Sequence, residues 1–78
     1  MDYKDAFANG LKAIIDEAGL KQNVIAKNAG MKAPSLSRIL NGRQKVYTDD
    51  AYRICQAVGC SIEEAIKKGM EGQRAHFD

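Results

Sequence analysis

Tryptophan is missing from the sequence, proline occurs once, and the two cysteines, Cys55 and Cys60, sit five residues apart with one distant histidine, His76. Each scarcity excludes something. One proline, no tryptophan and few β-branched residues in alternation leave little from which to build a small barrel or sandwich, so the periodic segments described below point to an all-α domain. Cysteines at this spacing match neither a disulfide framework nor the paired ligands of a zinc site, and read as buried, reduced thiols of a cytoplasmic protein. No apolar run approaches the roughly 18 residues of a membrane span, and acids stand at the N-terminus where a secretory signal needs basic residues. No membrane partner is expected. No nucleophile–base pair and no phosphate-cradling glycine loop after a strand is present, so neither enzymatic activity nor a cofactor is expected. With 78 residues, the chain has room for one core and no separate sensor domain.

The most informative absence is of negative charge. Between Ala18 and Thr48 there is no Asp or Glu, although Lys21, Lys27, Lys32, Arg38, Arg43 and Lys45 all fall there. That stretch carries +6, while the remainder sets six basic residues against all ten acidic ones, and the net charge of +2 conceals the division. A cationic segment on an acidic body is the electrostatic footprint of a phosphate binder. A merely solvated basic face normally has acids interspersed.

Five helices account for the chain. Phe7, Leu11, Ile14, Ile15 and Ala18 form one stripe of a first helix from Asp5 to Ala18, which continues through Asn9-Gly10 and stops at Gly19. A short second helix runs from Gln22 to about Asn28 and closes at Gly30. The third starts near Ala33, because Pro34 fits only a first helical turn, and ends at Asn41-Gly42. After a polar loop, Thr48 caps a fourth helix with Asp49 and Asp50 in its first turn and Ala51, Ile54, Cys55 and Val58 facing inward, up to Gly59. Tyr52 on this helix reads as core. Ser61 and Glu64 form a capping box for a fifth helix, Ile62 to about Lys68, whose inward residues are Ile62, Ala65 and Ile66. Residues 1–69 are thus the folded domain, and residues 70–78 a C-terminal tail, frayed or dimer-associated.

From Gln22 to Leu40 the spacing is that of a helix-turn-helix. Ile25 and Ala29 on the second helix, with Leu36 and Ile39 on the third, turn to a shared core. Ala26 is small enough for the two backbones to approach, Gly30 occupies the turn, and Met31 plugs it.

On these residues, and on Leu20-Lys21-Gln22, Val24 to Lys27, Ser35 to Ile39, Asn41-Gly42-Arg43 and Ile54 to Gly59, the chain resembles the family of Cro and lambda-type phage repressors and the bacterial regulators of the same five-helix domain. The resemblance covers nearly the whole chain. It implies that Gln22 binds a backbone phosphate and braces the third helix, that Asn41 and Arg43 also meet phosphates, and that base edges are read by Lys32, Ala33, Pro34, Ser35, Ser37 and Arg38. Lys21 and Lys45 are further phosphate candidates, and Tyr47 is either a sugar-phosphate contact or a hydrophobic staple for the fourth helix. Relatives often carry hydrogen-bonding residues where Ala33 and Pro34 stand, which leaves those two only apolar contact with thymine methyls. Ser35 or Ser37 and Arg38, directed to guanine, then supply the hydrogen bonds, and shape and phosphate contacts gain weight. Leu40 replaces a frequent Glu, removing a negative charge near the nucleic acid.

The expected function is a sequence-specific, double-stranded DNA-binding regulator, a repressor, acting as a homodimer on two half-sites about 34 Å apart. Ile66 to Phe77 is the expected dimer surface, because Met70 and Phe77 have no evident place in the core. The alternative is a protein-interaction module, such as an antitoxin or inhibitor, with a protein partner and secondary DNA binding.

Overall fold

The computed structural model describes the backbone of residues 3–77 and the side chains of residues 3–71. Within that span the architecture is all-α, with helices α1 (Tyr3–Ala18), α2 (Gln22–Ala29), α3 (Ala33–Leu40), α4 (Thr48–Val58) and α5 (Ile62–Phe77). α1 and α5 lie along one another, α2 bridges α4 and α3, and α1 also touches α3. One cluster fills the centre, with Leu11, Ile15, Ile25, Leu36, Ile39, Leu40 and Ile54 as its largest fully buried side chains. Every helix from α1 to α4 contributes to that set, and α5 adds Ala65. Removing one such side chain, as in Leu36→Ala, costs about 2–5 kcal/mol.

The expected helices are present, with differences in extent. α1 begins two residues earlier, at Tyr3. Ala18, in the last turn of α1, is exposed rather than part of the buried stripe. Thr48 is the first residue of α4 rather than its cap; Tyr47 holds the cap position without a side-chain hydrogen bond, and Asp49 and Asp50 supply the first-turn negative charge instead. Tyr52 lies outside the core, 57% exposed, since it is one position off the Ala51, Ile54, Cys55 stripe. Its hydroxyl accepts a hydrogen bond from Gln56 Nε2 at 2.9 Å. Val58, Ile62 and Ile66 are half-buried at the edge of the cluster. The Ser61–Glu64 capping box is formed, with Glu64 N donating to Ser61 Oγ at 3.0 Å and Ser61 N to Glu64 Oε1 at 3.2 Å.

The largest difference is at the C-terminal end. α5 does not stop near Lys68 but continues through Gly69 to Phe77. The reason is tertiary. A Cβ at Gly69 would fall 1.9 Å from the carbonyl oxygen of Ala6, and one at Gly10 would fall 1.6 Å from that of Ala65. The two glycines are contact points at which α1 and α5 meet backbone to backbone, not interruptions of either helix. A surface ion pair, Lys68 Nζ to Glu17 Oε1 at 2.9 Å, joins the same two helices and adds at most about 1 kcal/mol.

Cys55 is buried in the core and Cys60 half-buried, and both thiols are free. Burial, with Cys60 beside it and Glu64 nearby, pushes the Cys55 thiol up from 9.0 to about 12. Burial likewise raises Cys60, against a hydrogen bond from Cys55 that lowers it.

Two outcomes follow. Gly10→Ala and Gly69→Ala should each destabilise the protein by about 2 kcal/mol or more, since a helix-propensity gain of about 1 kcal/mol is outweighed by overlap with fixed backbone. Urea midpoints would fall at unchanged slope; a Gly69 inside the helix without that backbone contact would instead give a gain. For Cys55, the folded thiol stays neutral where the unfolded one ionises, so its contribution is intact below pH 9 and is lost as pH rises towards 12. The stability difference between wild type and Cys55→Ala should narrow between pH 8 and pH 11 in urea titrations.

Candidate nucleic-acid interface

α2 and α3 are joined by Gly30, Met31 and Lys32. Gly30 takes φ 74°, which a side chain would disfavour, and this lets Met31 N reach back to Ala26 O at 2.9 Å while Gly30 N reaches Lys27 O at 3.2 Å. The half-buried Met31 then packs against the core. Ile25, Ala26 and Ala29 of α2 and Leu36, Ile39 and Leu40 of α3 are buried, which fixes both helices by their inner faces. Leu40 belongs to this core at 2% exposure rather than to a charged outer surface.

The outer face of α3 follows from the inner one. Pro34, Arg38 and Asn41, at i, i+4 and i+7, form an outward ridge and are exposed. Ala33 and Lys32 are exposed beside them, whereas Ser35 and Ser37 flank the ridge half-buried. Lys21, Gln22, Arg43, Lys45 and Tyr47 are exposed too, so all six cations of the acid-free stretch stand in solvent. Lys45 Nζ lies 5.8 Å from the centre of the Tyr47 ring, and Tyr47 is 62% exposed. It therefore projects from the start of α4 instead of stapling it.

The N-termini of α2 and α3 are unusual. Lys21 and Lys32 occupy the two cap positions, and neither makes a side-chain cap hydrogen bond. Lysine has no acceptor to offer there, and its charge sits at the positive end of the helix dipole. At α2, Val24 N donates to Asn23 Oδ1 at 3.0 Å. Gln22 and Asn23 N–H groups have no partner within the helix by position. α4 and α5, by contrast, start with two acids each.

Several side chains of the interface are committed to one another. Asn41 Nδ2 donates to Ser37 O at 2.9 Å and lies 3.5 Å from Ser37 Oγ, while Asn41 Oδ1 accepts from Lys12 Nζ at 3.1 Å. Asn41 is thus an exposed clasp between α3 and α1, with both ends of its amide engaged within the protein. Lys12 brings a further cation to this edge, and Gln44 accepts from Arg38 Nε at 2.9 Å. Neither residue stands out in the sequence, because a lysine on an exposed helix face and a glutamine in a loop gain meaning only from what they meet in space. Among the described residues no group of His, Cys, Asp and Glu is placed to hold a metal ion, and no helix is long and apolar enough to cross a membrane.

Comparison with known proteins agrees with this geometry. A family model described as a helix-turn-helix domain matches residues 6–65. No curated protein matches the chain. Two crystal structures of the clp gene regulator ClgR from Corynebacterium glutamicum are similar in fold. One has a TM-score of 0.85 at 17% identity, covering 97% of this chain and 81% of that one. The other has a TM-score of 0.83 at 18% identity, covering 92% and 94% respectively.

Asn41→Ala should lower stability by about 1 kcal/mol, the value of a solvent-exposed clasp hydrogen bond, in thermal or urea unfolding. An unchanged midpoint would mean that the clasp contributes nothing.

Proposed function

The chain belongs to the helix-turn-helix domain family, and on that premise we propose that it is a transcriptional regulator, a repressor of the Cro and lambda type, that binds double-stranded DNA with α3 in the major groove. The observation that carries this reading is the pair of uncapped helix starts at Lys21 and Lys32, set in a stretch of chain, Ala18 to Thr48, that has six exposed cations and no acid. An isolated domain gains nothing from a cation at a helix N-terminus. A phosphate would meet backbone N–H groups, the dipole and the lysine together.

In this reading Gln22, Lys21, Arg43, Lys45 and Tyr47 face the sugar-phosphate backbone, and Lys32, Ala33, Pro34, Ser35, Ser37 and Arg38 face base edges. Asn41, whose amide is bonded to Ser37 and Lys12, serves the interface by holding α3 to α1 beside the phosphate-facing residues. Ala33 and Pro34 supply apolar contact for thymine methyls. Pairing of two copies through α5 from Ile66 onward places a second α3 for the second half-site, supported by the partial exposure of the apolar Ile66 and Met70; Phe77, also assigned to that surface, lies outside the residues whose side chains are described.

Binding to random duplex at low salt should be seen by mobility shift, should weaken steeply with salt, and should be abolished by Arg38→Glu with Arg43→Glu. Absence of any shift would remove the proposal. Lys21→Asp separates the two roles of that position. It should raise stability by about 0.5–1 kcal/mol through a new cap and relief of the dipole. It should also weaken duplex binding and reduce the salt slope by roughly one unit or more. A cap with a purely structural role would leave binding unchanged.

A further inference from the structure

Arg38 is the one guanidinium on the outward ridge of α3, and it is held at two places. Its Nε donates to Gln44 Oε1 at 2.9 Å, and its Nη2 lies 3.5 Å from Ser35 Oγ. The segment that carries Gln44 is itself fastened to Arg38, because Arg43 N donates to the Arg38 carbonyl at 2.8 Å. Gln44 is half-buried while Arg38 is exposed, so the restraint lies on the protein side of the guanidinium.

A guanidinium offers donors along two usable edges: a side edge formed by Nε and Nη2, and an end edge formed by Nη1 and Nη2. Here Gln44 and Ser35 occupy the side edge. The end edge remains, with one hydrogen of Nη1 and one of Nη2. That pair of parallel donors matches the O6 and N7 acceptors of guanine in the major groove.

From this geometry we infer that Gln44 is a positioning residue that sets base specificity: it fixes Arg38 by Nε so that the end edge alone is presented, for guanine. The inference rests on the DNA-binding reading above and adds to it a residue outside α3. Ser35 acts in the same way from within the helix, as a support for Arg38. Gln44 also removes beforehand part of the rotamer freedom that a long arginine loses on docking.

The test is selection of bound sequences from a randomised duplex pool by wild type, Arg38→Ala, Gln44→Ala and Gln44→Glu, followed by affinity ratios for single-base variants of the selected site. Wild type should enrich one guanine per half-site that Arg38→Ala makes degenerate, with a loss of about tenfold or more in the guanine-to-adenine ratio. Gln44→Ala should lower that same ratio by roughly threefold to tenfold, as a fraction of what the arginine supplies. Gln44→Glu keeps an acceptor for Nε and should retain the ratio. If Gln44→Ala leaves the ratio intact while Arg38→Ala erases it, or lowers the ratios at every position alike, the positioning role is overturned and the DNA-binding reading stands. If wild type enriches no sequence, the positioning role and sequence-specific recognition both fall, while the mobility shift on random duplex still decides DNA binding.

Discussion

The close approach of α1 to α5 is the constraint on which the other helices depend. At Gly10 and Gly69 the two backbones are nearer than any residue with a Cβ permits, the opposing atoms being the carbonyls of Ala65 and Ala6. Side chains at the contact normally set the distance between packed helices, and removing them lets the pair close. The result is a two-helix support of sixteen residues each. α2 and α3, of eight residues each, are below the length at which a helix is stable alone in water. They persist because Ile25, Leu36, Ile39 and Leu40 are buried with Leu11 and Ile15 of α1 in one cluster. The placement of α3 is inherited from α1, through packing and through the Lys12–Asn41–Ser37 chain.

With the fold secured by that packing, the helix starts of α2 and α3 need not be optimal. Lysine at a cap position forgoes a hydrogen bond and opposes the dipole, at a cost of about 1 kcal/mol per helix. The same chain provides a complete capping box at Ser61–Glu64 and paired acids at Asp49 and Asp50. The exceptions coincide with the acid-free stretch. Where a sequence departs from local rules at one place and obeys them elsewhere, the departure marks function more often than accident.

What the sequence made legible was local. Pro34 dates the start of α3, Gly30 the turn, Ser61 and Glu64 the start of α5, and the apolar periodicity selects Leu11, Ile15, Ile25, Leu36, Ile39 and Ile54 for the core. Gly69 misled because a glycine late in a helical pattern has two meanings, an exit or a close contact. Only the position of Ala6, sixty-three residues away, decides between them. Tyr52 misled because one helical position separates the buried stripe from solvent, and an aromatic is counted as core until the neighbouring helix is placed. For the candidate interface, the acid gap picks out a stretch whose six cations are all exposed. Lys12 and Gln44 were out of reach, since each matters through a partner on another element. Asn41 is assigned to phosphate by resemblance, and the bonds of its amide to Ser37 and Lys12 are not visible in the sequence.

These internal bonds bear on how so plain a ridge could discriminate sequence. Of its three outward residues, Pro34 has no donor and Asn41 has its amide turned to Ser37, which leaves Arg38. Under the proposed function, one arginine per half-site supplies about 1–3 kcal/mol of direct discrimination. That is less than the 4–10 kcal/mol that separates specific from nonspecific binding in typical regulators. The deficit can be met by a second half-site, which doubles the direct term, and by sequence-dependent deformation of the duplex. Both routes require the cations at Lys21, Arg43 and Lys45 to hold the backbone in a fixed register against α3. A rigid link between α3 and the phosphate-facing loop then matters more than the number of base contacts. The Arg43 N to Arg38 O and Arg38 Nε to Gln44 Oε1 hydrogen bonds form that link.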